Sequence, residues 1–446
     1  MKQAVLLLSA AAAALVTPKA FEADQAVISN DNSEAHWWDS ITQSYGLQSL
    51  ADSFEHAIKD AEAALDHDHD HDDDGHHHHG GNGKHGHHGH HPGDTTKTIY
   101  ELISSNKHTT RFAALVDEHD DIKSLLQDTK ANHTLFIPTD RAFERLPHHG
   151  DDGDDKDKPK KPPAHIICAI LAYHVAPGLW PSRRLYFTHT LPTELTSPSL
   201  GSHPQRLRIS SSLIFGTRLN FFSKLVVKDI AAKNGLIHAV DFILVPPPPT
   251  AKILQLLPNT FSTLSLGLEN TGLGEELADL TFEGGTFFAP TNRAFTRLGP
   301  RANAFLFSDR GKKYLKALIK YSIVANETLY SDAFYKRKGG EDVDAERDYW
   351  HVDLPSLLED KPISVDVRTW KGWVSIVANG YTRVAVQDVL ARDGVLQVVN
   401  SVLFPPRRGG RHEWVDEEER EWEVEEIVER LEGYVERERE SGMGDL

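Results

Sequence analysis

Hydrophobic positions along this chain gather into blocks separated by polar stretches, and one block occurs twice. Thr134-Leu135-Phe136-Ile137-Pro138-Thr139-Asp140-Arg141-Ala142-Phe143 returns as Thr286-Phe287-Phe288-Ala289-Pro290-Thr291-Asn292-Arg293-Ala294-Phe295, with Thr139 and Thr291 152 residues apart. Each copy reads as a short buried strand stopped by proline, then a Thr where an N-cap oxygen is wanted. Ala142, Phe143 and Leu146 then fall on one helical face, as do Ala294, Phe295 and Leu298.

A second pair, Asn234-Gly235-Leu236-Ile237-His238-Ala239-Val240 and Asp393-Gly394-Val395-Leu396-Gln397-Val398-Val399, recurs at an offset of 159 residues. Asn-Gly and Asp-Gly predict tight hairpin turns with positive φ at both central positions. Apolar runs at 225–227 and 384–386 enter the hairpins, and runs at 237–245 and 395–404 leave them. Prolines 246–249 and 405–406 close each unit. Matching motifs in the same order at nearly one offset predict two copies of one domain, and the period is too long for a solenoid. Helical stretches at 166–175 and 312–324 lie between the motifs, so the fold class is α+β, helices beside small antiparallel sheets.

The Thr-x-Phe-x-Pro-Thr-[Asp/Asn]-x-Ala-Phe motif, the Tyr-His pair and Asn-Gly-x-Ile-His-x-Val-Asp together resemble the fasciclin (FAS1) domain, over about residues 97–407. That resemblance implies two tandem domains of a β-wedge plus a helical bundle, at 95–248 and 249–407. It also implies a role in cell adhesion or matrix contact without enzymatic activity. The Asp- and Lys-rich insert at 151–161 is similar to that of fungal members, some of which act in the vacuolar pathway. Carried over residue by residue, the partner-binding candidates are Tyr173 and His174, Asp229 and Ile230, and His238. In the second copy Tyr321-Ser322 replaces the Tyr-His pair, Asp388-Val389 stands for Asp229-Ile230, and Gln397 stands for His238. The competing reading makes Tyr173, His174 and His238 core residues that satisfy one another by hydrogen bonds.

Outside the repeats the composition changes. Lys2 and the apolar run at 5–16 read as a secretory signal over 1–20, too short to span a bilayer comfortably, with an uncleaved anchor as the rival reading. Trp37, Trp38, Ile41, Tyr45, Leu47, Leu50, Phe54 and Ile58 predict an amphipathic helix or docking segment within 21–65. Residues 66–94 turn abruptly to His, Asp and Gly, which reads as a disordered linker. Its imidazoles are His67, His69, His71, His76, His77, His78, His79, His85, His87, His88, His90 and His91. They suit Zn, Cu or Ni at modest affinity, and they gain charge between neutral and vacuolar pH. No other cofactor is expected. The tail at 408–446 is rich in Glu and Arg, with Val424, Ile427, Val428, Leu431 and Val435 on one helical face. It predicts an acidic amphipathic helix that docks on the second domain or, alternatively, serves as a coiled-coil or partner helix.

A net charge of −18 argues against nucleic acid as a partner. Cys168 is the only cysteine, so no intramolecular disulfide forms and its apolar neighbours make it a buried small hydrophobe. Asn132 and Asn326 head glycosylation sequons, consistent with a secretory route. No later segment suits a membrane span or a lipid-anchor signal. There is no Gly-x-Ser-x-Gly elbow, and His412-Glu413 lacks the second histidine of a zinc-protease helix. The expected protein is secreted or on the cell surface or wall, or alternatively vacuolar, and binds a protein or glycan. A competing role is a luminal metal- or pH-responsive factor acting through the His-rich stretch.

Overall fold

The computed structural model describes residues 93–145, 162–212, 216–278, 280–336, 343–344, 348–358, 361–370, 372–406 and 422–441, together with Glu55 and Ile58. The leader, the His-rich stretch, the insert at 151–161, and Trp37 and Trp38 all lie outside the described residues.

Two α+β domains follow one another and carry the same sheet. In the first, β1 (His133–Pro138), β2 (Val175–Pro177), β3 (Thr190–Ser197), β4 (His203–Ser212), β5 (Gly216–Leu219), β6 (Ser223–Ala232) and β7 (Gly235–Val240) run in the order β2-β1-β7-β6-β5-β4-β3. The second has β8 (Gly285–Pro290), β9 (Ile323–Ala325), β13 (Tyr349–Pro355), β14 (Pro362–Trp370), β15 (Trp373–Ala378), β16 (Thr382–Ala391) and β17 (Gly394–Val399). Their order, β9-β8-β17-β16-β15-β14-β13, repeats the first strand for strand. A small three-stranded sheet of β10 (Thr328–Leu329), β11 (Ala333–Tyr335) and β12 (Val343–Asp344) is added in the second domain.

Short helices cover one side of each sheet. Those of the first domain include α1 (Ile99–Ser104), α2 (Thr110–Asp117), α3 (Asp120–Gln127), α4 (Asp140–Glu144), α5 (Ala164–Tyr173) and α6 (Ser182–Leu185). Ile99, Phe112, Ile122, Leu126 and Tyr173 close the first core, and Cys168 is buried in it as expected. In the second, α7 (Thr250–Leu256), α8 (Pro258–Asn270), α9 (Leu273–Ala278), α10 (Asn292–Arg297), α11 (Pro300–Leu306) and α12 (Lys312–Tyr321) do the same. The strands of the repeated motif form as its pattern requires, but of the two expected caps only that of Thr291 is made; Thr139 stands at the N-cap of α4 without a capping side-chain hydrogen bond. β1 and β8 are buried and end at Pro138 and Pro290, and the Thr291 side chain caps α10 by accepting from the Ala294 N–H.

The hairpin turns lie one residue earlier than the Asn-Gly and Asp-Gly signals predict. Ala232 pairs with Gly235 and Ala391 with Gly394, so the two-residue turns are Lys233-Asn234 and Arg392-Asp393 and each glycine already sits in a strand. None of these four turn residues has positive φ. The glycines answer a different demand. β7 runs parallel to β1, and a Cβ on Gly235 would lie 1.8 Å from the carbonyl oxygen of His133; on Gly394 it would lie 2.2 Å from that of Gly285. Asn234 and Asp393 instead latch the first helix of each domain. Asn234 Oδ1 accepts from Ile99 N at 2.8 Å, and Asp393 Oδ1 from Thr250 N at 2.9 Å.

The tail docks on the second domain, and so do Glu55 and Ile58. The tail helix α13 (Val424–Ser441) buries Ile427, Leu431, Tyr434 and Val435 in its core. Trp422 stacks on Phe404 with ring centroids 3.8 Å apart, and Glu432 meets Lys313 of α12. Ile58 is buried in that same core, beside the Glu55–Asn259 hydrogen bond.

Candidate functional site

β6 carries the site because it bulges. Its pairing with β7 slips between Val227 and Ile230, and Asp229 there takes φ 58°. An Asp tolerates this left-handed conformation better than most side chains do. The kink aims the carboxylate at the start of α6. Asp229 Oδ1 accepts from Ser182 N at 2.7 Å, and Oδ2 accepts from the Ser182 hydroxyl. The Asp229 N–H in turn donates to His238 Nδ1 at 3.1 Å, and His238 Nε2 meets the Trp180 carbonyl at 2.8 Å. The ring is therefore the Nε2–H tautomer, and both of its nitrogens are used. Burial, against the Trp180 carbonyl, lowers its pKa from the ordinary histidine value.

Tyr173 and His174 lie deeper. The Tyr173 hydroxyl donates to the Arg206 carbonyl at 2.8 Å and accepts from Asn220 Nδ2 at 2.9 Å. His174 Nδ1 donates to the Ile170 carbonyl at 2.7 Å, and Nε2 accepts from Leu244 N at 3.0 Å. Desolvation pushes the His174 pKa down to about 4. Tyr173, His174 and His238 are thus all buried and hydrogen-bonded, but to backbone and Asn220 rather than to one another. Ile230 is half-buried and packs against the first core. The structure brings Asp229 and His238 together with Ser182, and places Tyr173 and His174 apart from them.

The second domain repeats the arrangement. Asp388, also at φ 58°, accepts from Ser331 N at 2.8 Å and from the Ser331 hydroxyl. Gln397 does the work of His238: its Oε1 accepts from Asp388 N at 3.2 Å and its Nε2 donates to the Leu329 carbonyl at 2.8 Å. An amide supplies one acceptor and one donor at the spacing of the neutral imidazole, so the His-to-Gln change keeps the device. Asn379 likewise matches Asn220, donating to the Tyr321 hydroxyl at 2.9 Å.

What differs is the surroundings. In the second domain the Ser331 segment is buried against the first domain. Asp332 accepts from the N–H groups of His189 and Thr190 at 3.0 and 2.7 Å, and buried Arg206 donates to the Tyr335 hydroxyl at 2.9 Å. Gln205 reaches the Arg392 carbonyl, and His203 stacks on Tyr335. In the first domain the corresponding Ser182 segment is largely open, with one edge of the Phe187 ring beside Gly372 of the second domain. Leu179, Arg183, Arg184, Tyr186 and Phe187 are exposed, Phe187 by 56%. Arg184 lies over the Trp180 ring at 3.6 Å, and Tyr186 meets Phe187 edge to face. Sequence reasoning missed Ser182, Ser331, Asn220 and Asn379. Ser182 follows Tyr173 by nine residues and Ser331 follows Tyr321 by ten, and that slip hides the recurrence.

Asn132 is exposed, while Asn326 is half-buried at φ 63° with its Oδ1 accepting from Glu283 N. Among the described residues no group of three or more His, Cys, Asp or Glu side chains is placed to hold a metal ion, and no helix is long and apolar enough to cross a membrane. The twelve candidate metal-ligating histidines lie outside the described residues.

The fasciclin-domain family model matches residues 107–246 and 259–405. Aurofusarin biosynthesis cluster protein S of Gibberella zeae is 31% identical over 71% of this chain and 79% of its own length. The fasciclin-like arabinogalactan protein elcF of Phaeosphaeria nodorum is 22% identical over 70% and 89%. Among solved structures, a FAS1 domain pair from the insect cell adhesion molecule fasciclin I matches at 16% identity and a TM-score of 0.32, covering 68% of this chain and 95% of that one.

Proposed function

The chain belongs to the fasciclin-domain family, and from that premise we propose that it is a non-enzymatic adhesion or interaction protein of the secretory pathway. It binds a protein or glycan partner through the Ser182 segment of its first domain. One observation carries this reading: the same Asp–Ser anchor occurs in both domains, and the segment it holds is covered in the second and open in the first. The Asp229 carboxylate is engaged inside the protein, so it acts as a positioning residue. Contact falls to Arg183, Arg184, Tyr186 and Phe187, residue types that carry interface energy when they become buried. The imidazoles of His174 and His238 are engaged with backbone groups, which supports a non-enzymatic role.

A fungal relative favours a second reading of the partner. It is named for a biosynthesis cluster and matches over most of both chains. A protein from such a cluster, rather than a wall glycan, would then occupy the Ser182 segment.

Capture on cells and isolated walls tests the proposal, with the location of an internally tagged chain and its deglycosylation shift followed alongside. Loss of capture in Phe187→Ala and Arg183→Ala chains of unchanged thermal stability is expected. Unchanged capture by both, or a cytosolic chain without a mobility shift, would overturn it.

A further inference from the structure

The two domains meet through unlike surfaces. The first offers the outer face of β3 and β4, and the second offers its Ser331 segment together with Gln387 and Arg392. Each domain therefore keeps the half that the other has used. The first keeps its Ser182 segment open, and the second keeps the outer face of β13 and β14.

The strand-for-strand repeat puts these open halves in residue register. Asn220 N donates to the Arg208 carbonyl and Asn379 N to the Ser364 carbonyl, so Arg208 corresponds to Ser364. Thr190 pairs across the ladder with Arg208, and Asp353 with Ser364, so Asp353 occupies the position of Thr190. Ser182 corresponds to Ser331, so Arg183 occupies the position of Asp332. At the junction within the chain, Thr190 donates to Asp332, and Arg206 lies in ion-pair range of it at 3.8 Å. In the open halves the same two positions hold Asp353 and Arg183. Thr190 itself is uncharged and the positive group of the junction is Arg206, so the signs are exchanged between the two surfaces rather than position by position, and they remain complementary. Asp353 has 61% of its side chain exposed and Arg183 is exposed. Tyr349 and His351 share the outer face with Asp353, beside Asp366.

We propose that the open β13–β14 face of one copy docks on the Ser182 segment of a second copy, head to tail, with Asp353 of one chain against Arg183 of the next. Because the two surfaces differ, the contact is heterologous and continues the domain array instead of closing a two-fold dimer. The exchanged charges also discriminate against the wrong pairing. Asp332 facing Asp353, or Arg183 facing Arg206, would set like charges together. The proposal rests on the reading of the Ser182 segment as a binding surface, and names a second copy as its partner.

Sedimentation of the full chain across a concentration series tests it. The weight-average mass is expected to keep rising beyond a dimer, and the rise to weaken with added salt. Arg183→Glu and Asp353→Arg should each weaken association by about tenfold or more, with unchanged melting temperatures because both sites are exposed. An equimolar mixture of the two variants should recover it, since Glu at 183 then meets Arg at 353. A strictly monomeric chain at roughly 100 μM, a weak-binding limit, would overturn the proposal. So would association that stops at a dimer, or a mixture no stronger than either variant. Should the chain stay monomeric while Phe187→Ala still abolishes cell capture, the second-copy partner falls and the binding segment stands.

Discussion

Asp229 holds Ser182 through both carboxylate oxygens, one on the backbone N–H at 2.7 Å and one on the hydroxyl. Two hydrogen bonds to a charged acceptor fix the start of a four-residue helix that has little stability of its own. Asp229→Ala is expected to cost about 1–3 kcal/mol, because it leaves the Ser182 N–H and hydroxyl without their acceptor in a left-handed position that Ala adopts poorly. Asp229→Asn, which tolerates that φ and keeps one acceptor, should lose less. Urea denaturation of the three chains measures the order. Asp388→Ala should cost at least as much, since its carboxylate is fully buried.

His174 makes stability depend on pH. The unfolded imidazole takes a proton below its ordinary pKa of 6.5, whereas burial holds the folded one down to about 4. Between these values the unfolded state binds more protons, so this contribution is complete above about pH 6.5 and is lost as pH falls toward 4. The loss reaches roughly 3 kcal/mol at its limit, and His238 shifts in the same direction. The His174 ring resonance should not titrate between pH 7.5 and 5 in the folded chain. Titration with a midpoint near 6.5 would contradict the burial.

Arg206 and Asp332 tie the domains together inside a buried contact. Asp332→Ala removes the acceptor for His189 and Thr190 and the ion-pair partner of Arg206 at once, and should cost about 2–5 kcal/mol of domain coupling. Calorimetry is expected to show one unfolding transition in the parent splitting into two in the variant. Coincident transitions in both would mean that the junction does not depend on this cluster.

The tail belongs to the second domain. Leu431 is fully buried between α13 and the domain helices. Leu431→Ala should cost about 2–5 kcal/mol and lower the single transition of the parent; combined with Asp332→Ala it should lower the transition of the second domain while leaving the first unchanged.

Local pattern made much of this molecule legible before any coordinates. The buried strands ending at Pro138 and Pro290, the α+β class and the docking face of the tail follow from apolar spacing and proline chemistry. The hairpin register did not. Asn-Gly signals a tight turn when the glycine is free to choose its φ, but here the parallel neighbour β1 claims Gly235 for close backbone approach. Such a demand comes from a strand about a hundred residues away in sequence and leaves no local trace. The site was half legible. Asp229 and His238 stand in recognisable motifs, whereas Ser182 and Asn220 do not. The open state of the Ser182 segment depends on which surface the other domain covers, a tertiary fact that spacing does not encode.

The account stands on the Ser182 segment as the contact surface, and one measurement addresses it most directly. Capture by cells or isolated walls is compared between the parent chain and an Arg183→Glu, Phe187→Ala double variant, with melting temperatures matched. Capture reduced by about tenfold or more, with the fold intact, is the predicted result. Equal capture by the two chains would place the contact elsewhere and contradict it.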